Sequence, residues 1–100
     1  MNYGSVHNYF ERLVFDEIAM NSSRYGISNP DILEDIACVA LNRLPPRYIR
    51  HDIDLAFYLT SQEREQIEAS VREAVREAAN YVLSRNRVRE FSAQQEPQVA

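Results

Sequence analysis

The sequence contains no lysine, no tryptophan, one cysteine and two glycines. A lone thiol, Cys38, can form neither an internal disulfide nor a cysteine-rich zinc site. The glycines, Gly4 and Gly26, stand far apart, so no glycine-rich phosphate loop can be assembled and nucleoside triphosphate hydrolysis is not expected. Apolar runs are short. Residues 37–41 and 55–59 fall well below the roughly 20 residues that a bilayer-spanning helix needs. The opening Met1-Asn2-Tyr3-Gly4-Ser5 has neither the basic nor the apolar region of a secretory signal. These absences predict a cytoplasmic protein with no membrane partner. At 100 residues and 11.6 kDa, the chain is the size of one domain with one core.

Fifteen acidic residues against 11 basic ones give a net charge of −4 and a pI near 5.1, which disfavours non-specific binding to DNA, RNA or anionic lipid. Because lysine is absent, every one of the 11 basic residues is arginine. The guanidinium is a planar fork that grips phosphate in a bidentate manner and stacks on flat rings. A local arginine cluster can therefore make a phosphate or purine site on an acidic protein. The plainer reading of the number is a codon bias toward arginine, so position along the chain carries the information.

Apolar positions recur at helical spacing over residues 5–20, where Val6, Tyr9, Phe10, Leu13, Val14 and Ile18 predict a first helix. Asn21 to Gly26 supplies turn formers and a glycine suited to a helix C-terminus. Asn29 as N-cap and Pro30 at the first helical position start a second helix. It is expected to run to about Leu44, buried on two sides, until Pro45-Pro46 breaks it. Residues 47–51 then read as extended, and residues 52–59 as irregular or short helical. Thr60 and Glu63 form a capping box that opens a third helix, expected to end near Asn86. Its stripe of Ile67, Val71, Ala74, Ala78 and Tyr81, widened by Val75 and Val82, suits packing on the first two helices or on a second copy. From Phe91 the composition turns to Ser, Gln, Glu and Pro, which predicts a disordered tail over residues 91–100. The expected fold is all-α: a small domain over residues 1–90 with three main helices and a short extended or helical linker.

Catalytic constellations are not apparent, and no enzyme, metal or cofactor is expected. Cys38, between Ala37 and Val39 on the most apolar helix, reads as packed and inert. His7 reads as a surface residue without a catalytic partner, and the pair Asp52 and Asp54 falls short of a cation's ligand set. The unusual segment runs from Asn42 through Arg43, Leu44, Pro45, Pro46, Arg47, Tyr48 and Arg50 to His51. It sets three arginines, a tyrosine and a histidine around a rigid corner, and such preorganisation favours ligand binding. The plainer alternative is that the prolines only end the helix, while the arginines are surface charges near its negative pole.

The stretch Asp35-Ile36-Ala37-Cys38-Val39-Ala40-Leu41-Asn42-Arg43-Leu44-Pro45-Pro46-Arg47-Tyr48 resembles the signature of the late competence development protein ComFB family. In that signature an Asp-Ile pair leads into Ala-Leu-Asn-x-Leu-Pro-Pro-x-Tyr. Asn8, Glu11 and Val14 resemble the family's opening Asn-x-x-Glu-x-x-Val pattern, and the similarity spans about residues 5 to 85. The resemblance implies a small all-helical homodimer. It also implies a receptor for a cyclic dinucleotide, chiefly cyclic di-GMP, that signals through a regulatory protein partner in competence, motility or biofilm control. Asn42, Arg43, Leu44, Pro45, Pro46, Arg47 and Tyr48 carry over as candidate ligand contacts. Arg50, His51 and Asp35 are added as neighbours, with Asp35 or His51 placed to read a guanine edge. Some family members carry several cysteines and a zinc site ahead of the Asp-Ile pair. Ser28-Asn29-Pro30-Asp31 stands there in this chain, so metal dependence does not carry over. The alternative expectation is a ligand-independent protein–protein interaction module.

Overall fold

The computed structural model describes residues 1, 3–51 and 58–95, with residues 87–95 described by backbone alone. A 3₁₀ turn (Tyr3–Ser5) is followed by strand β1 (His7–Asn8), helix α1 (Phe10–Asn21), helix α2 (Pro30–Arg43), strand β2 (Tyr48–Ile49) and helix α3 (Ser61–Gln95). Three helices pack on one another, and a two-stranded antiparallel ladder is the single sheet among the described residues. The fold is all-α, as the helical periodicities predict.

The second and third helices start where their caps dictate. The Asn29 side chain accepts from the Asp31 N–H at 3.0 Å, with Pro30 at the first helical position. The Thr60 hydroxyl accepts from the Glu63 N–H at 3.1 Å, satisfying a donor that the first helical turn leaves free. At the other end of α2, Leu44 is extended (φ −93°, ψ 139°), the conformation a following proline imposes.

The first helix begins later than its periodicity suggests, at Phe10 rather than near residue 5. The backbone of His7 and Asn8 is taken by pairing with Ile49 and Tyr48, a tertiary demand that outweighs local helical spacing. His7 accordingly lies half-buried in β1, not on a helix surface. Beyond Asn21 one further helical turn closes in a Schellman arrangement. Ile27 N–H donates to Ser22 C=O and Gly26 N–H to Ser23 C=O, both at 3.1 Å. Gly26 sits at φ +68°, in the left-handed region that the motif requires and a side chain resists. The turn delivers Ile27 into the core.

The core is a single cluster. Phe10, Val14 and Ile18 of α1 are buried against Ile36, Ala37 and Ala40 of α2, against Leu44 just beyond it, and against Val71, Ala74, Val75, Ala78, Ala79 and Val82 of α3. The third helix thus buries its stripe within its own chain. Tyr81 departs from the expected seam, since it is 43% exposed while Ala78, Ala79 and Val82 occupy the interior. Cys38 also corrects the expectation of a packed thiol, because it is exposed. It falls four residues from both Glu34 and Asn42, on the polar line of α2 and not on its apolar stripe.

The third helix continues through Gln95, past Asn86 and into the segment expected to be disordered from Phe91. Ala93, Gln94 and Gln95 are adequate helix formers, and adding residues to an existing helix costs far less than nucleating one. Residues 96–100 of the expected tail, and residues 52–57 of the expected linker, lie outside the described residues.

Gly26→Ala should lower stability by about 1–2 kcal/mol. The strain of the positive φ is the cause, since an added Cβ meets no atom within 4 Å. Thermal unfolding followed by circular dichroism is expected to show a drop of at least about 4 °C.

Candidate functional site

The diproline corner joins the end of α2 to β2, and one buried side chain holds it in place. Asn8 lies in the interior, where its carboxamide oxygen accepts from the Phe10 N–H at 3.2 Å and from the Arg47 N–H at 3.1 Å. The Tyr9 N–H donates to the Arg47 carbonyl at 2.7 Å. Arg47 thus has both backbone groups engaged by the segment that opens α1, which leaves its side chain exposed on a fixed backbone. The ladder then places Tyr48 outward, 68% exposed, and Ile49 half-buried.

The candidate residues, Asp35 apart, fall around the C-terminal end of α2. Arg43, Leu44 and Pro45 line a hollow of about 440 Å³ against Ser70, Glu73 and Glu77 of α3. Leu44, Pro45 and Arg47 line a second hollow, about 300 Å³, against Phe10, Glu63 and Gln66. Leu44, Pro45 and Ser70 border both, so Arg43 and Arg47 flank the corner from its two sides. Pro46, Tyr48, Arg50 and His51 are exposed around it. Asn42 turns back on its own helix, donating to the Cys38 carbonyl at 2.9 Å. Asp35 is separate from the corner. It lines a groove of about 330 Å³ between α2 and α3, together with Cys38, Val39, Tyr81 and Arg85.

Arg43 is already partnered. Its Nη1 donates to Glu77 Oε2 at 3.1 Å, and its guanidinium carbon lies 5.9 Å from the centre of the Tyr81 ring. Arg85 approaches the same ring at 5.7 Å and donates to the Tyr81 hydroxyl at 2.8 Å. That hydrogen bond, with the electrostatic pull of Tyr81, raises the Arg85 pKa above its ordinary value. On the wall of the larger hollow, hydrogen bonds from Arg76 are the main reason that the Glu73 carboxyl titrates below its ordinary range. The corner therefore presents exposed arginines of two kinds: Arg43, held by Glu77 and an aromatic ring, and Arg47, fixed through its backbone.

Tyr81, Arg85 and Glu77 were not among the residues that the motif singles out, and Asn8 entered only through the family's opening pattern, with no role at the corner. The i,i+4 spacing of Tyr81 and Arg85 is a local signal for their contact. Glu77 and Asn8 act on residues 34 and 39 positions away, which no local pattern announces.

Three helices around one core, with polar side chains gathered at a proline-made corner, define the class of protein: a small all-α domain with an arginine-bearing surface. The family model for late competence development protein ComFB matches residues 7–86, and the chain belongs to that family. No curated protein and no solved structure matches the chain. Among the described residues, no helix is long and apolar enough to cross a membrane.

Asn8→Ala should cost about 1–3 kcal/mol, because two backbone donors lose their acceptor in or near the interior. Urea denaturation should show the loss, and amide exchange at Arg47 should accelerate. Asn8→Asp keeps an acceptor oxygen in place and should cost less.

Proposed function

We propose that this ComFB-family protein is a non-catalytic receptor for a cyclic dinucleotide, with cyclic di-GMP as the ligand, acting in the cytoplasm. The observation that carries the reading is the pair of exposed arginines, Arg43 and Arg47, flanking a corner whose backbone Asn8 pins. Arginine pairs with phosphate through charge-assisted, bidentate hydrogen bonds. Fixing the backbone beforehand reduces the ordering cost of forming them. Tyr48, exposed beside Arg47, offers a flat face to a base. Cyclic di-GMP is a twofold dianion, and a homodimer presenting the same arginines from each subunit would match its symmetry. A receptor needs no chemistry at the site. It needs only that the ligand favour one state of a surface that a regulatory protein reads.

A ligand-independent interaction module is the second reading, and the exposed face of α1 favours it. Phe15 and Met20 stand 51% and 77% exposed, and Met20 borders a hollow with Leu13, Asp16 and Arg72. An apolar, adaptable methionine next to charged groups suits a protein partner.

Isothermal titration of the full chain with cyclic di-GMP separates the two. The receptor reading predicts saturable binding at micromolar or tighter affinity. Arg47→Ala should weaken it at least tenfold, roughly the energy of one charge-assisted contact, with an unchanged circular dichroism spectrum. A folded protein that takes up no heat with cyclic di-GMP would overturn the receptor reading and leave the interaction module.

A further inference from the structure

Helices α1 and α3 leave a groove of about 330 Å³ between them, and it shares no lining residue with either hollow at the corner. Its α1 wall is one stripe, Leu13, Asp16, Glu17 and Met20, whose spacing of three and four residues puts them on a common face. Its α3 wall, Glu68, Val71 and Arg72, has the same spacing. Val71 is buried and Leu13 half-buried, which gives the groove an apolar floor. Met20 stands 77% exposed at the end of the stripe, a flexible side chain that adapts to what packs against it.

Charge on the rim is unequal: the carboxylates of Asp16, Glu17 and Glu68 outnumber the guanidinium of Arg72. Glu17 accepts a hydrogen bond from Asn21. Among the described residues, Asp16, Glu68 and Arg72 form no ion pair or side-chain hydrogen bond, although Glu68 and Arg72 stand at the i,i+4 spacing where such a pair can form. The rim charges are therefore open to a partner, and their sign asks for a basic one. The chain's net charge of −4 acts in the same direction at long range.

The walls also select the partner's backbone. An extended peptide needs N–H and C=O partners of the kind a sheet edge offers, whereas the backbone groups midway along two helices are already committed to their own ladders. A helix brings its backbone bonds with it and lays side-chain ridges into a groove between helices. Leu13 and Met20 lie seven residues apart, about 10 Å along the axis, so two turns of a partner helix would span the groove with apolar anchors at i, i+3 or i+4, and i+7.

We infer that the α1–α3 groove docks a basic amphipathic helix of a partner protein, its apolar side chains on Leu13, Met20 and Val71 and its Lys or Arg side chains on Asp16 and Glu68. The inference rests on the element common to both readings above, a protein partner, and not on nucleotide binding.

The test uses an unbiased probe: a displayed library of random peptides, each about 16 residues and so about four helical turns, selected against the full-length protein without nucleotide. Enriched peptides should carry Leu, Ile or Met at helical spacing, flanked by Lys or Arg. The affinity of a selected, fluorescently labelled peptide is then measured by anisotropy for wild type, for Met20→Ala and for Asp16→Asn combined with Glu68→Gln. Asp31→Asn combined with Glu34→Gln is the control, making the same change in net charge at exposed positions of α2, and circular dichroism checks the fold of each variant. Loss of the two groove carboxylates should weaken binding at least tenfold and Met20→Ala several-fold, with the control unchanged. Enriched peptides that are acidic or without helical pattern, or an equal loss in the control, would overturn the inference. Peptides that bind every variant as they bind wild type would overturn the groove and leave a partner surface elsewhere on the protein, and a selection that enriches nothing would overturn the partner surface as well. Titration with cyclic di-GMP judges the receptor reading separately from all of these outcomes.

Discussion

The carboxamide of Asn8 accepts from Phe10 on one side and from Arg47 on the other, and the geometry of the corner depends on that junction. It supplies the start of α1 with a hydrogen-bond acceptor where Tyr9, at the N-cap, offers no side-chain cap. It also ties the segment after Pro45-Pro46 to the chain's beginning, and the short β1–β2 ladder grows from the same point. Prolines alone end a helix and restrict the direction in which the chain leaves. They do not say where the departing segment comes to rest. A buried acceptor serving two backbone donors does say so, because moving Arg47 away would leave its N–H unsatisfied close to the core.

With the corner held, the burial of Leu44 on the core side and the exposure of Pro45, Pro46 and Arg47 follow. The α2–α3 contact is built from small side chains. Ala37 and Ala40 of α2 and Ala74, Ala78 and Ala79 of α3 belong to the shared core, and short side chains permit close approach of two helices. Long polar groups at the margins of that contact can then bridge the two helices. Arg43 reaches Glu77, and both guanidiniums reach Tyr81. Exposed ion pairs of this kind contribute little to stability, so the Arg43–Glu77 pair does little to hold the helices together.

Features that depend on neighbouring residues were legible in the sequence. Asn29 followed by Pro30, Thr60 with Glu63, and Pro45-Pro46 each act within one helical turn, and the structure uses each as its local chemistry dictates. The arginines of the candidate site were legible for the same reason, since Arg43, Pro45 and Arg47 lie within five positions. What was not legible required knowing which distant segments meet. His7 and Asn8 fit a helical pattern until Tyr48 and Ile49 claim their backbone, and Tyr81 fits the core stripe until two arginines take its ring. Cys38 is exposed although its immediate neighbours are apolar. Its apolar neighbours in sequence suggested burial, whereas its spacing from Glu34 and Asn42 put it on the solvent face. The motif belonging to the ComFB family located the corner, but the groove holding Asp35 and Arg85 emerges only once α2 and α3 are set side by side.

The central claim is that Asn8 prepares Arg47 for its ligand without touching that ligand. The direct test is to measure cyclic di-GMP affinity for Asn8→Ala in two backgrounds, wild type and Arg47→Ala, by titration at a temperature where every variant is folded. The account predicts that Asn8→Ala weakens binding several-fold in the wild-type background and has little further effect once the Arg47 side chain is gone, the non-additivity expected of groups acting through one another. Equal losses in both backgrounds, or no loss in either, would contradict it.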